Sequence, residues 1–350
     1  MTPRECVNAV LNGRKSEYIP FTIWDNKLPD GELRRQILIR DACVIVKSKV
    51  YNTKLKTIKT ENEYFVGTDG NKRVRTTYHT ACGDLQEIKV LKPGTNWIEK
   101  HIFSGPEDYN AVIALIDDHE YIPCYNKFLE DDALFGQQGI ARPATEKSPF
   151  FEIMYQIMGL MCFAVEWAEN RDMVLKLYEA LNRTIKKRLE IVACSPARYV
   201  IVDGNIDMSV VGADRFDRYY RPYIEEASHM MHAAGKMTGV HLDANNRNMI
   251  RQVAELPVDI IESLTPPPDC DLSVSEALKV WPGKIFMLNF PSSVHHGGPD
   301  AVRRAALEIL EEDAGSGRII VGVYEDIPVN DTLPILAETV RYFNKSQSKA

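Results

Sequence analysis

The sequence has no CxxC pair, no GxGxxG or GxxxxGK[ST] turn, no long uninterrupted apolar run and no extended basic tract. Each absence excludes something. Without a glycine-rich phosphate turn, a dinucleotide-binding or P-loop function is not expected. The seven cysteines (Cys6, Cys43, Cys82, Cys124, Cys162, Cys194 and Cys270) are scattered and odd in number. They read as reduced thiols filling core positions, not as a disulfide framework. The most apolar long stretch, Phe150 to Trp167, is interrupted by Glu152, Gln156 and Glu166. That reads as a buried helix and not a membrane span. The opening Met1-Thr2-Pro3-Arg4-Glu5 has no apolar core segment, so no secretory signal is expected and the location expected is cytoplasmic. The net charge is −7, with no basic cluster, which argues against nucleic acid as a partner.

What is present is a 350-residue chain with 45% hydrophobic residues, enough for a large core. Thr2 caps a first helix to Leu11, and Ile19–Trp24 reads as a strand. Asp30 caps a helix over Gly31–Asp41. From about Lys47 to Phe103 the pattern alternates with period two, as in Lys54–Lys59, Lys72–Tyr78 and Asp84–Val90, with Gly70 and Gly83 at turns. This predicts an antiparallel β-meander, wet on one face, as an elaboration of the main fold. Further on, Ser148–Gly159 and Met161–Glu169 read as apolar helices and Arg171–Ala193 as a long one. Then apolar strands and helices alternate to the end: Tyr199–Val202, the strand ending at His241, the one ending at Glu262, Lys284–Leu288, and the one ending at Glu325. Asn344 to Ala350 read as a frayed polar tail. Such alternation implies parallel strands buried on both faces. We therefore expect an α/β protein: a single (β/α)8 TIM-type barrel over residues 1–350, with a β-rich insertion at 47–103.

In such a barrel, functional groups cluster at the C-terminal strand ends. Asp203 and Asn205, His241 and Asp243, Glu262, Asn289, and Glu325 with Asp326 all fall there. His241 and Asp243 lie two residues apart, so on a strand they share a side. His241, Glu262 and Glu325 form a candidate metal set, one imidazole with carboxylates, suited to zinc and also to iron or manganese. The plainer alternatives stay open: a scaffold histidine held by hydrogen bonds, and glutamates serving as caps or ion-pair partners. Asp203-Gly204-Asn205 is either a substrate-orienting group or a turn. His295-His296 reads as a loop pair without a function. Trp24, Phe150 and Tyr155 are aromatic residues that would line a pocket or fill a core.

Several segments together resemble the uroporphyrinogen decarboxylase superfamily. They are Thr2-Pro3-Arg4-Glu5…Leu11-Asn12-Gly13, Asp203-Gly204-Asn205, Phe216…Tyr219…Arg221-Pro222-Tyr223 and Gly235-Lys236…His241-Leu242-Asp243. The resemblance spans about residues 2–343 and implies a distorted (β/α)8 barrel. The heme-pathway branch carries an arginine-rich segment after the first strand, but here that segment is Trp24-Asp25-Asn26-Lys27-Leu28-Pro29-Asp30. The corrinoid-dependent methyltransferase branch fits better. Where its zinc-dependent members have His-x-Cys and a later Cys, this chain has His241-x-Asp243 and Glu325.

Ile261-Glu262-Ser263-Leu264-Thr265-Pro266, Asn289-Phe290-Pro291 and Tyr324-Glu325-Asp326-Ile327-Pro328 resemble the O-demethylase methyltransferases. The resemblance implies methyl transfer from a methoxylated, aromatic substrate to the cobalt(I) of cobalamin carried by a separate corrinoid protein. It further implies zinc on His241, Glu262 and Glu325, with His241 essential and Asp243 or Asp326 as the acid. Trp24, Asn205, Tyr155 and Phe150 would contact substrate. A homodimer is among the assemblies it allows. The rival reading is a metal-free lyase of the decarboxylase type, in which Asp203 or Asp243 stabilises a cationic pyrrole.

Overall fold

The computed structural model describes residues 1–92, 96–313 and 315–347. The chain falls into two compact units: Met1–Val50 with Cys124–Glu146 and Val192–Ala350, and Tyr51–Pro123 with Lys147–Ile191.

The first unit is an eight-stranded parallel barrel. Its strands are β1 (Phe21–Trp24), β2 (Ala42–Ser48), β3 (Gly139–Pro143), β4 (Tyr199–Gly204), β5 (Met237–His241), β6 (Ile260–Leu264), β7 (Ile285–Asn289) and β8 (Ile319–Val323). The hydrogen-bonded order is β4-β5-β6-β7-β8-β1-β2-β3. No ladder joins β3 to β4, and the barrel is nearly closed. Across that seam, the amide of Glu146 donates to the carbonyl of Ile201 at 3.1 Å. The strands form because they are short apolar runs that bury both faces, and helices such as Arg221–Ala233, Gly298–Glu311 and Leu333–Gln347 follow them. Cys43 and Ile45, Ile140, Ile201, Ile260, Ile285 and Met287, and Ile320 point inward at period two. Val7, Val10 and Leu11 of the helix Pro3–Leu11 join this core, as do Trp24 and Tyr324. That helix starts with the expected cap, a capping box between Thr2 and Glu5.

Two strands differ from the sequence reading. β2 takes in Lys47 and Ser48, which the alternating pattern had placed in the meander. β3 was not anticipated: Gly-Ile-Ala-Arg-Pro is short, charged and ends in proline, yet all five residues are buried. The tail also differs: Asn344 continues the last helix and bonds both the amide and the carbonyl of Ile19 (3.0 and 2.9 Å). Residues 348–350 lie outside the described part.

The second unit carries a four-stranded antiparallel sheet in chain order, Lys59–Val66, Lys72–Thr80, Gly83–Val90 and Trp97–Lys100. Its first strand is mostly exposed. The expected strand Lys54–Lys59 is in fact the end of one strand and the start of another. Tyr51–Leu55 pairs instead with His119–Pro123. Between the two strands the Asp118 carboxylate captures the amides of Thr57 and Ile58 (3.0 Å each), which ends the run. The apolar helices appear as Pro149–Phe151 running into a π-helical turn, Glu152–Ile157, and then Leu160–Glu169. They are bent by 119° around Gly159, whose φ is +75°. Among the described residues no single helix is long and apolar enough to cross a membrane.

Candidate active site at the barrel mouth

The inward period of each strand delivers one polar side chain above the apolar core. On β3, Arg142 follows Ile140 by two. On β5 and β6, His241 and Glu262 are register partners. Arg142 and Glu262 are fully buried and form an ion pair: Nε lies 3.0 Å from Oε1, and Nη2 donates to Oε2 at 3.0 Å. The same Oε2 lies 2.9 Å from His241 Nδ1. On its other side, His241 Nε2 is 3.4 Å from Asp243 Oδ2. A chain therefore runs Arg142–Glu262–His241–Asp243, from the interior to the mouth.

The electrostatics follow from this chain. Burial opposes charge on Glu262, but Arg142 and His241 outweigh it and hold the carboxyl below its ordinary pKa. Burial likewise opposes charge on His241, but Asp243 and Glu262 outweigh it and raise the imidazole above its usual value. The histidine is thus a buried imidazole between two acids that favour its charged form. Glu325, just beyond β8, behaves oppositely. Burial and the charge of Asp243 push its carboxyl up to about 7, against the weaker pull of His241 and Lys27. It can hold a proton near neutral pH, which suits acid catalysis.

The backbone is fitted closely around this chain. Gly204 lies so near His241 that an added Cβ would fall 2.5 Å from the histidine Cβ. Asn205 adopts φ 55° and donates from Nδ2 to Asp243 Oδ2 at 2.9 Å. Asp203 is buried and caps the Gly204 amide at 2.9 Å. Ser263, right after Glu262, has φ 64° at a register shift between β6 and β7. Left-handed serine beside a buried acid is strain of the kind that collects at functional sites.

Trp24 forms one wall, its ring stacked 5.8 Å from that of His241 and tilted against that of Tyr324 at 5.4 Å. Its indole Nε1 is buried without an acceptor. Lys47, inward on β2, places Nζ 3.2 Å above the Trp24 ring. Tyr324 is buried, with its hydroxyl 2.5 Å from Thr22 Oγ1 and its amide bonded to Asn289 Oδ1 at 2.9 Å. Asn289 also donates to Thr265, so it holds the rim together.

Of the residues expected from the sequence, His241, Asp243, Glu262, Trp24 and Asn205 meet here, and Glu325 stands within electrostatic reach of Asp243 and His241. Asp326 does not join them: it is exposed and pairs with Lys27 at 2.5 Å. Phe150 and Tyr155 belong to the second unit. There Phe150 packs on Trp167 and Tyr178 (5.4 and 5.2 Å), and Tyr155 on Phe151 (4.8 Å). His295 is buried against Thr332, and burial drops its pKa to about 4, so it is neutral and structural. Arg142 engages both oxygens of Glu262, a partner that the expected metal set did not include. Among the described residues no three His, Cys, Asp or Glu side chains are grouped to hold a metal.

Arg142 and Lys47 were the residues that sequence reasoning missed. The available signal was a cation two residues after an inward apolar residue, Ile140 and Ile45 respectively.

No protein-family model matches the chain, and no curated protein matches it. Among solved structures, the crystal structure of Dispersin B aligns with 92% of this chain and 98% of that one, at 9% identity and a TM-score of 0.36.

Proposed function

We propose that this protein is a methyltransferase that removes the methyl group of a methoxylated aromatic substrate and passes it to the cobalt(I) of a corrinoid carried by a partner protein. The resemblance to the O-demethylase methyltransferases supplies the reaction class. One observation supports the chemistry: the buried chain Arg142–Glu262–His241–Asp243 ends at the mouth, within electrostatic reach of Glu325, whose carboxyl burial and Asp243 push up to about 7. The hard part of breaking a methyl–oxygen bond is the departure of the oxygen. As the methyl carbon moves to the acceptor, the oxygen keeps the bonding pair and takes the Glu325 proton, which avoids a free phenolate. The His241 cation, fixed by Glu262 and Arg142, stabilises negative charge that develops on that oxygen. The Trp24 face offers an aromatic ring a stacking partner.

The test is to mix the purified protein with cob(I)alamin and a panel of methoxyarenes, methanol and methylamines, and to follow methylcobalamin by absorbance. Turnover with methoxyarenes that collapses in Glu325→Gln supports the reading. No methylation from any methoxyarene sinks it. Release of CO2 from uroporphyrinogen, with products of fewer carboxyl groups, in a parallel assay would move the protein to the lyase class, which uses the same mouth without a methyl acceptor.

A further inference from the structure

Lys47, half-buried, is unlike the buried lysines of the barrel. Lys236 is held by the carbonyls of Ser195 and Ala197 (2.5 and 2.8 Å), and Lys284 by those of Leu256 and Val258 (2.9 Å each). Lys47 has no hydrogen-bond acceptor and no carboxylate partner among the described residues. Its amine rests on the face of Trp24, 3.2 Å from the ring centroid. Its register partner on β3 is Arg142, a fixed positive charge already consumed by Glu262. A lysine amine partly withdrawn from water, beside a second cation and without an acceptor, is in the environment that turns lysine into a nucleophile, and the Trp24 face holds it in place.

We infer that Lys47 is a carbonyl-capture site: its amine condenses reversibly with aldehydes or ketones that enter the barrel mouth, forming an imine. The nitrogen lone pair forms a bond to the carbonyl carbon, and the carbonyl oxygen takes up the two amine protons and leaves as water. No oxidant or reductant is required. Burial, with the Arg142 charge, draws the ammonium pKa down to about 8 against the opposing pull of Glu262 and Asp25, so a usable fraction of neutral amine is present at pH 7.5. Trp24 favours an aromatic carbonyl compound, because its ring already forms one wall of the mouth. The inference does not depend on methyl transfer, and its test reads no turnover.

The experiment treats the full-length protein with benzaldehyde and sodium cyanoborohydride at pH 7.5, and locates the benzyl adducts by peptide mass mapping. Lys47 is expected to be modified at least about tenfold faster than an exposed lysine such as Lys15. The fast adduct should vanish in Lys47→Arg, with circular dichroism confirming the fold. The wild-type map alone decides the matter if that variant does not fold. Labelling of Lys47 no faster than that of Lys15, or a fast adduct that persists in Lys47→Arg, overturns the proposal.

Discussion

The two ends of the barrel bury charge in opposite ways. At the N-terminal end, Lys236, Lys284 and Arg318 stand immediately before β5, β7 and β8. Each is satisfied by neutral main-chain carbonyls; for Arg318 these are those of Trp281, Lys284 and Leu278 (3.1 to 3.3 Å). A cavity of about 1080 Å³ opens at that end as well, lined by residues such as Arg14, Tyr18, Asp313 and Asn344. At the C-terminal end, charges face other titratable groups: Arg142 on Glu262, Glu262 on His241, and His241 and Glu325 on Asp243. Burial alone therefore does not mark function. A carbonyl partner cannot change charge, so the N-terminal cations are fixed structure. A titratable partner adds to what burial does, and burial with the Asp243 charge is why the mouth holds a carboxyl poised near 7.

Four substitutions probe the contrast, from the largest effect to the smallest. Glu262→Ala should cost about 3–5 kcal/mol in chemical denaturation, because it strands Arg142 as a buried, uncompensated charge. It should also abolish turnover, and a loss below about 1 kcal/mol would show that the pair is not desolvated. Glu325→Gln should leave stability nearly unchanged but lower methyl transfer roughly 10²–10⁴-fold. The sign of the pH effect is set by the upward shift. The folded pKa of Glu325, about 7, lies above its ordinary value of 4.5, so the acid form and the stability it brings are complete below pH 4.5. Both fade as pH rises through 7. Wild-type kcat/KM should fall on that limb, and the glutamine variant should lack it. Lys284→Met should cost about 1–3 kcal/mol through two stranded carbonyls, without altering the pH profile; a changed profile would erase the distinction between the two ends. Asp326→Ala, at an exposed pair, should change neither melting temperature nor rate measurably.

The barrel was legible where strands are uninterrupted apolar runs, from Tyr199 onward. It was not legible at β3, where arginine and proline disguise five buried residues. The site was legible where two residues on one strand, or matching tips of neighbouring strands, pointed together: His241, Asp243 and Glu262. Its partner Arg142 lies 120 residues from Glu262 in sequence, and no local pattern announces a pairing over that distance. The sequence reading therefore set Glu262 in a metal set without that cation beside it. Asp326 was placed in the site by adjacency to Glu325. β8 stops at Val323, so the chain beyond it no longer keeps the inward period. Phe150 and Tyr155 were apolar aromatics with no strand tip to place them at the mouth.

The seam between β3 and β4 has a consequence for how the ring opens. Each of these strands has one laddered neighbour where every other stave has two, and the amide of Glu146 reaches across to Ile201. Unzipping there breaks the fewest bonds, so amide deuteration should reach Glu146 sooner than the β5–β6 ladder. Arg142, rooted on the loose side of the joint, is the rivet through which that breathing would first be felt at Glu262.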